Sequence, residues 1–397
     1  MNEIVRTLPR PRPLARPAVE LVAFKDACGD AWDELAARAA DPNPFATRHV
    51  VGAHVRAGLA PPDLPLLVAR RGRDWLAALP LSPRPTVIGF GSRARSSWSS
   101  PFNTLGTPLL AGDETEAAAE AFLDGLAASR PELVLLRNLR LDGRAVRTLE
   151  AALHRRRWPH ASVGAFQRAV LDRENVAAAD PGAWLAAGRR KDLRRRRTRL
   201  AIFGALEHRT EVEGPALAEA VEQFLYLEAS GWKGARGTAL ASRPPTLAFA
   251  RLLFAAGGGP VAPRADLLTL DGRPVAASLS LVCAGTAFLL KTAYDENHRR
   301  HAPGLLLEEE IVRACLRTGF ADRLDSAADE GHVIGEFLPG RERVGDLLFA
   351  PSDRLAPAAL ARLAGREEWR RRWLGAVKAA VNGWRKAALA RSRPGPG

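Results

Sequence analysis

The sequence predicts an α/β protein built from two copies of one unit, each a mixed, mostly antiparallel sheet flanked by helices. Three observations carry this. At 397 residues, 47% hydrophobic and 26% charged, the chain is long enough for two cores of ordinary domain size. Two hairpin-like stretches, "LLVARRGRDWLAALPL" and "LLTLDGRPVAASLSL", share a pattern across the two halves. Each is followed by a stretch of helical apolar spacing and then by a short apolar run of the buried-strand type.

Residues 1–19, rich in arginine and proline and lacking an apolar centre, read as a disordered tail rather than a leader. Residues 29–58 read as two short helices broken at "DPNPF", and 64–81 as two strands around a polar turn. A Gly/Ser/Pro-rich loop is expected over 82–113. Ala118, Phe122 and Leu126 give 114–129 its helical spacing, and "ELVLLRNL" at 132–139 reads as a buried strand. A helix near 142–157 and a strand near 164–171 close this half.

The middle of the chain is helical. Asp180 as N-cap with Pro181 behind it opens a helix that carries the arginine cluster "GRRKDLRRRRTR", 188–199. Helices follow over 214–230, with Leu217, Val221, Phe224 and Leu225 inward, and over 244–259, where glycines stop it. A hairpin over 265–282 turns at Asp271-Gly272. Period-2 alternation sets Val275, Ala277, Leu279 and Leu281 against Ala276, Ser278 and Ser280. A third strand runs over 285–296. The helix over 304–320 places Leu307, Ile311, Ala314 and Cys315 on one face, with Glu308, Glu309, Arg313 and Arg317 opposite or beside it. A short strand at 322–328 follows, and the tail beyond Pro357 is basic and helical.

Composition narrows the function classes. The net charge of +14 suits an anionic substrate, a membrane surface or nucleic acid. The arginine cluster lacks interleaved aromatics, which makes nucleic acid the least favoured of the three. A solvated helix face and a site for an anionic ligand or membrane both remain open for it. The C-terminal helix, with Trp369, Trp373 and Trp384, suits either a membrane surface or packing on the core. No apolar run reaches the ~18–20 residues of a membrane span. Cys28, Cys283 and Cys315 are scattered in apolar settings and read as reduced, buried residues of a cytoplasmic protein, with the inner membrane face as a peripheral location. The eight histidines show no ligand spacing, so no metal is expected.

Lysine is scarce: of 58 basic residues only Lys25, Lys191, Lys233, Lys291, Lys378 and Lys386 are lysines. In a chain that writes arginine almost everywhere, a retained lysine points to a need for a compact ammonium. This marks Lys233 in "GWKGARGTA" and Lys291 in "FLLKTAYDENHRRHAPGLLLEEEIV". The latter stretch passes from strand to helix through a basic cluster and a Pro-Gly, and a helix N-terminus beside cations is a phosphate site in physical terms. An ordinary strand–helix turn is the alternative. On the strand, Lys291 and Tyr294 alternate to opposite sides unless a bulge brings both to one cleft.

Strands followed by Arg299-Arg300-His301-Ala302-Pro303-Gly304 and a helix resemble the pyrophosphate loop of GNAT acyltransferases. Ala302 stands at the pattern's first glycine, and Pro303 brings no N–H. Together, 224–240, 290–312 and 324–350 resemble the CelD-type, cellulose-biosynthesis-associated GNAT acetyltransferases, which are similar in turn to the Fem-type double-GNAT aminoacyltransferases. That resemblance covers roughly residues 20–350. It implies tandem GNAT-like units over 20–175 and 176–350, a basic extension over 351–397, and acetyl-CoA as acyl donor. It implies donor contacts from Arg299, Arg300, His301, Ala302, Gly304 and Leu305, and acceptor contacts from Trp232, Lys233 and Gly234. The catalytic candidates are Lys291 for the acyl oxygen, Tyr294 for the leaving thiolate, and Asp295, Glu296 or Asp325 for the amine proton. The implied acceptor is a small molecule or saccharide, an amine or hydroxyl of a cell-envelope or exopolysaccharide precursor. A Fem-type aminoacyl-tRNA-dependent transferase and a non-catalytic subunit of a polysaccharide system are the alternatives.

Overall fold

The computed structural model describes residues 16–83, 94–176 and 184–391. The first half runs β1 (Ala18–Ala23), α1 (Gly29–Ala37), α2 (Arg48–Arg56), β2 (Pro65–Arg71), β3 (Asp74–Pro80), β4 (Ala94–Ser96), β5 (Leu109–Leu110), α3 (Thr115–Ala128), β6 (Leu133–Arg140), α4 (Arg144–Arg155) and β7 (His160–Asp172). The second runs α5 (Ala187–Leu200), β8 (Leu206–Glu211), α6 (Gly214–Ser230), α7 (Trp232–Ala235), α8 (Pro244–Phe254), β9 (Val261–Leu270), β10 (Arg273–Cys283) and β11 (Thr286–Tyr294). A 3-10 turn (Glu296–His301), α9 (Pro303–Thr318), β12 (Arg323–Asp325), β13 (Gly340–Phe349) and α10 (Pro357–Arg391) complete it.

Local chemistry accounts for several of these boundaries. Thr47 caps α2 by accepting the Val50 N–H. Asp271 and Gly272 both take positive φ in the tight β9–β10 turn, the conformation that suits a two-residue hairpin. Gly319, at φ +65°, ends α9 in the left-handed conformation.

The strands form two sheets, ordered β1-β2-β3-β5 and β4-β6-β13-β7-β12-β11-β10-β9-β8. Two pairs in the long sheet are parallel, β4 with β6 and β11 with β12, and the other pairs are antiparallel. Each parallel pair spans three residues, and each has a helix in its connection, α3 in one half and α9 in the other. The repeat seen in the sequence is therefore a repeat of architecture.

Several expectations need correction. The 82–113 loop contributes two short strands, β4 and β5, and buries Leu105, Thr107, Leu109 and Leu110. Ala18 and Val19, expected in the tail, belong to β1. The Asp180-Pro181 helix start lies outside the described residues, and the arginine helix itself begins at Ala187. Strands β8 and β13 were not foreseen. β13 enters the sheet between β6 and β7, and β7 pairs onward with β12, so the boundary expected at 175 divides the sequence and not the sheet. Both faces of β10 are buried, because α6 covers one side and α9 the other: Ser278 and Ser280 are as buried as Leu279 and Leu281. Glu308 and Glu309 are buried under α9 rather than turned to solvent. On α10, Trp369 and Trp373 stand exposed, while Arg371 reaches back to Asp346 at 2.6 Å. Among the described residues, no helix is long and apolar enough to cross a membrane.

Candidate active site

The second unit's sheet opens along β11. This strand pairs with β12 only over Thr286–Phe288, against Arg323–Asp325. β12 then ends, while β11 continues to Tyr294 beside β10. Among the described residues, no backbone hydrogen bond reaches 289–294 from the β12 side. Where the opening starts, Leu279 faces Lys291 and Ser280 faces Leu289, so Leu290 is the extra residue of a β-bulge.

That bulge decides which way the site residues point. It lies before Lys291, so it resets the alternation for both candidates instead of bringing them together. Lys291 and Ala293 face α6, whereas Thr292 and Tyr294 face α9. The expectation that a bulge would place Lys291 and Tyr294 on one side is corrected by its position.

On the α6 side, Glu228 is a buried carboxylate that the sequence reading missed. It accepts the Lys233 ammonium at 2.9 Å and the Leu240 N–H at 2.7 Å, and lies 3.9 Å from Lys291 Nζ. Lys291 Nζ is also 6.0 Å from the centroid of Phe102, a first-unit residue that stacks on Phe249. Burial pushes the Lys291 ammonium below the ordinary lysine range; Glu228 opposes this and Lys233 adds to it. Glu228 thus clamps the α7 segment at both ends and keeps two ammonium groups at the opening. Its position was legible: residue 228 follows Phe224 by one turn on the apolar stripe of α6.

The segment itself is tightly fitted. A Cβ on Gly234 would lie 1.7 Å from the Ala229 carbonyl oxygen, so only glycine can stand there. Trp232 is half exposed; its N–H donates to Glu296 at 2.7 Å and the Arg236 guanidinium covers its ring. Glu296 is therefore a tether for this segment. Asp295 caps the 3-10 turn by accepting the Asn297 N–H. Asp325 accepts the Ala327 N–H and lies 3.8 Å from the buried Arg168; among the described residues no hydrogen bond or ion pair joins it to Lys291.

On the α9 side, Tyr294 lies against Gly304, where an added Cβ would meet the ring at 3.3 Å. Thr292 donates its hydroxyl to Glu308 at 2.5 Å, and among the described residues the second oxygen of Glu308 has no partner. Burial pushes the Glu308 carboxyl up to about 7.

The expected donor loop keeps its cations and loses most of its backbone donors. Arg299 and Arg300 are exposed, and the His301 ring lies tilted 5.4 Å from that of Phe203. Ala302 is left-handed, at φ 50°, and its carbonyl already accepts the N–H groups of Leu305 and Leu306. Pro303 has none to offer, and Gly304 is buried against Tyr294. Phosphate recognition here would rest on side chains. Beside this loop, Phe203, Tyr226, Tyr294, Asp295, Glu296 and Ser230 line part of an open groove of about 1300 Å³.

Residues 187–330 match the family model described as an acetyltransferase (GNAT) domain. This segment is similar to a GNAT acyltransferase domain. It contains Glu228, Lys233, Lys291 and the donor loop. No curated protein matches the chain. Among solved structures, the C-terminal domain of a putative lysylphosphatidylglycerol synthetase from Agrobacterium fabrum is similar, at 13% identity over 85% of this chain and 95% of that one, with a TM-score of 0.51. FemX is similar at 11% identity over 87% and 99%, also with a TM-score of 0.51. At such identities the likeness is one of fold, and it extends over both halves of the chain.

Proposed function

We propose that the second unit transfers an acyl group from acetyl-CoA to an amine or hydroxyl of a cell-envelope or exopolysaccharide precursor. The observation that carries this is the open edge of β11, with a bulge turning Lys291 to one side of it and the cationic donor loop at its end. An extended, amide-bearing donor arm can add to such an edge as a strand would. Arg299 and Arg300 supply charge for the donor phosphates. Lys291, held by Glu228, stabilises the negative charge that builds on the acyl oxygen as the acceptor nitrogen bonds to the acyl carbon and the carbon–sulfur bond breaks. Tyr294, on the donor side, gives its proton to the departing thiolate. Asp295 or Glu296, at the groove, receives the acceptor's proton directly or through water. The acidic lining of that groove favours an amine over a hydroxyl. The resemblance of 224–240, 290–312 and 324–350 to CelD-type enzymes supports the saccharide-associated acceptor.

A second reading has one specific observation in its favour. The scarcity of free amides at the start of α9 suits a donor other than CoA, such as the aminoacyl-tRNA of a Fem-type transferase. Calorimetric titration with acetyl-CoA, paired with an assay for thiol release over a panel of amines, separates the readings. Micromolar-range binding that is lost in R299E/R300E, with amine-dependent thiol release, is the expected result. Binding of aminoacyl-tRNA in place of acetyl-CoA would favour the second reading, and binding of neither would leave a non-catalytic subunit.

A further inference from the structure

The outward face of α5 takes no part in the site described above. The helix is divided sharply in two. Inward, Leu193 and Leu200 are fully buried, Arg196 donates to the Arg300 carbonyl at 3.2 Å, and Arg197 pairs with Glu309 and Glu310 at 3.0 and 2.6 Å. Outward, Lys191, Arg194, Arg195 and Arg199 follow one another at helical spacing. Arg195 pairs with Asp192 at 2.7 Å. Among the described residues, the side chains of Lys191, Arg194 and Arg199 have no hydrogen-bond or ion-pair partner, and the same holds for the side chains of Arg299 and Arg300 on the abutting turn.

The outward stripe runs on into two bulky apolar side chains. Ile202 is 78% exposed and Phe203 57% exposed, adjacent in the 3-10 turn that ends the helix. The Phe203 ring leans on His298 and His301, each 5.4 Å away, which joins this tip to the turn bearing Arg299 and Arg300. Solvation alone accounts for a charged helix face but not for an Ile-Phe pair standing in water at its end. A nucleic acid would use the cations and gain nothing from Ile202. A bilayer with anionic headgroups uses both: cations sit at the phosphates while the apolar tip enters the acyl boundary.

We propose that α5 and the Ala201–Phe203 turn form a docking surface for an anionic phospholipid membrane. Phe203 also lines the groove beside Tyr294, so docking through it turns that groove toward the membrane face. The surface itself stands independently of the acyl-transfer reading.

Co-sedimentation of the full chain with phosphatidylcholine vesicles, with and without phosphatidylglycerol, tests this at low and high salt. Binding should require phosphatidylglycerol and weaken with salt. The R194E/R199E variant should lose about tenfold or more in bound fraction. I202S/F203S should lose the part of binding that survives high salt. R194E/R199E does not touch the donor loop, so its thermal melting and acetyl-CoA titration serve as controls and should be unchanged; for I202S/F203S the control is thermal melting alone, because Phe203 rests on His301. Equal binding to both vesicle types, or wild-type binding by R194E/R199E, would overturn the proposal. So would displacement by tRNA of a binding that I202S/F203S leaves intact, since that describes a general polyanion site.

Discussion

The two parallel strand pairs of the long sheet begin alike and end differently. β4 lies against β6, and β11 against β12, each for three residues. In the first unit the space beyond the pairing is filled. Ser97 donates its N–H to the Leu135 carbonyl and accepts the Arg137 N–H on its hydroxyl, and Gly106 donates to the Asn138 carbonyl, so the chain after β4 lies along β6. In the second unit β11 continues past its partner with an open edge, a bulge and buried ionisable groups on both sides. Burying Glu228 and Glu308 and half-burying Lys291 is costly, and such groups concentrate where chemistry requires them. The hairpin β2–β3, by contrast, buries Leu66, Leu67, Val68, Leu76 and Leu79. The first unit's opening is filled, and the second unit's is not.

Changes in the two openings should therefore differ in kind. Lys291→Met should lower kcat by about 100- to 1000-fold, roughly 3–4 kcal/mol of transition-state stabilisation, with little change in acetyl-CoA affinity. Steady-state thiol release with a productive amine measures this. In the first unit, Gly106→Ala forces a Cβ to within 2.3 Å of the Arg137 carbonyl oxygen. It should cost about 3 kcal/mol of stability in denaturant unfolding, while the folded fraction binds acetyl-CoA as before.

Two further predictions concern charge. Glu308 has a folded-state value raised to about 7, from 4.5. Its favourable contribution is complete below the lower value and is lost as pH rises through the upper one. Glu308→Gln should flatten that dependence and gain roughly 2–3 kcal/mol in relative stability between about pH 5 and pH 8, read from unfolding midpoints. Glu228→Gln removes the carboxylate that holds the Lys291 pKa up, so the alkaline limb of kcat/KM should move to lower pH.

Much of this frame was legible in the sequence. The hairpins, α6, α9 and Lys291 on its strand follow from periodicity and from lysine scarcity. What escaped depends on long-range pairing. β13 is a strand because β6 and β7 receive it from across the chain. The bulge at Leu290 exists only in the register against β10. The partner of Asp325 is Arg168, far off in sequence. Glu308 lies at helical spacing from Ile311 and Cys315, but its burial depends on how α9 sits on β11, which periodicity alone does not specify.

Amide hydrogen exchange with and without saturating acetyl-CoA tests the central claim most directly. Exchange should slow along 289–294, at the open edge of β11, and stay unchanged along 97–106, the corresponding stretch of the filled first unit. Unchanged exchange at 289–294, or protection confined to the first unit, would contradict the account.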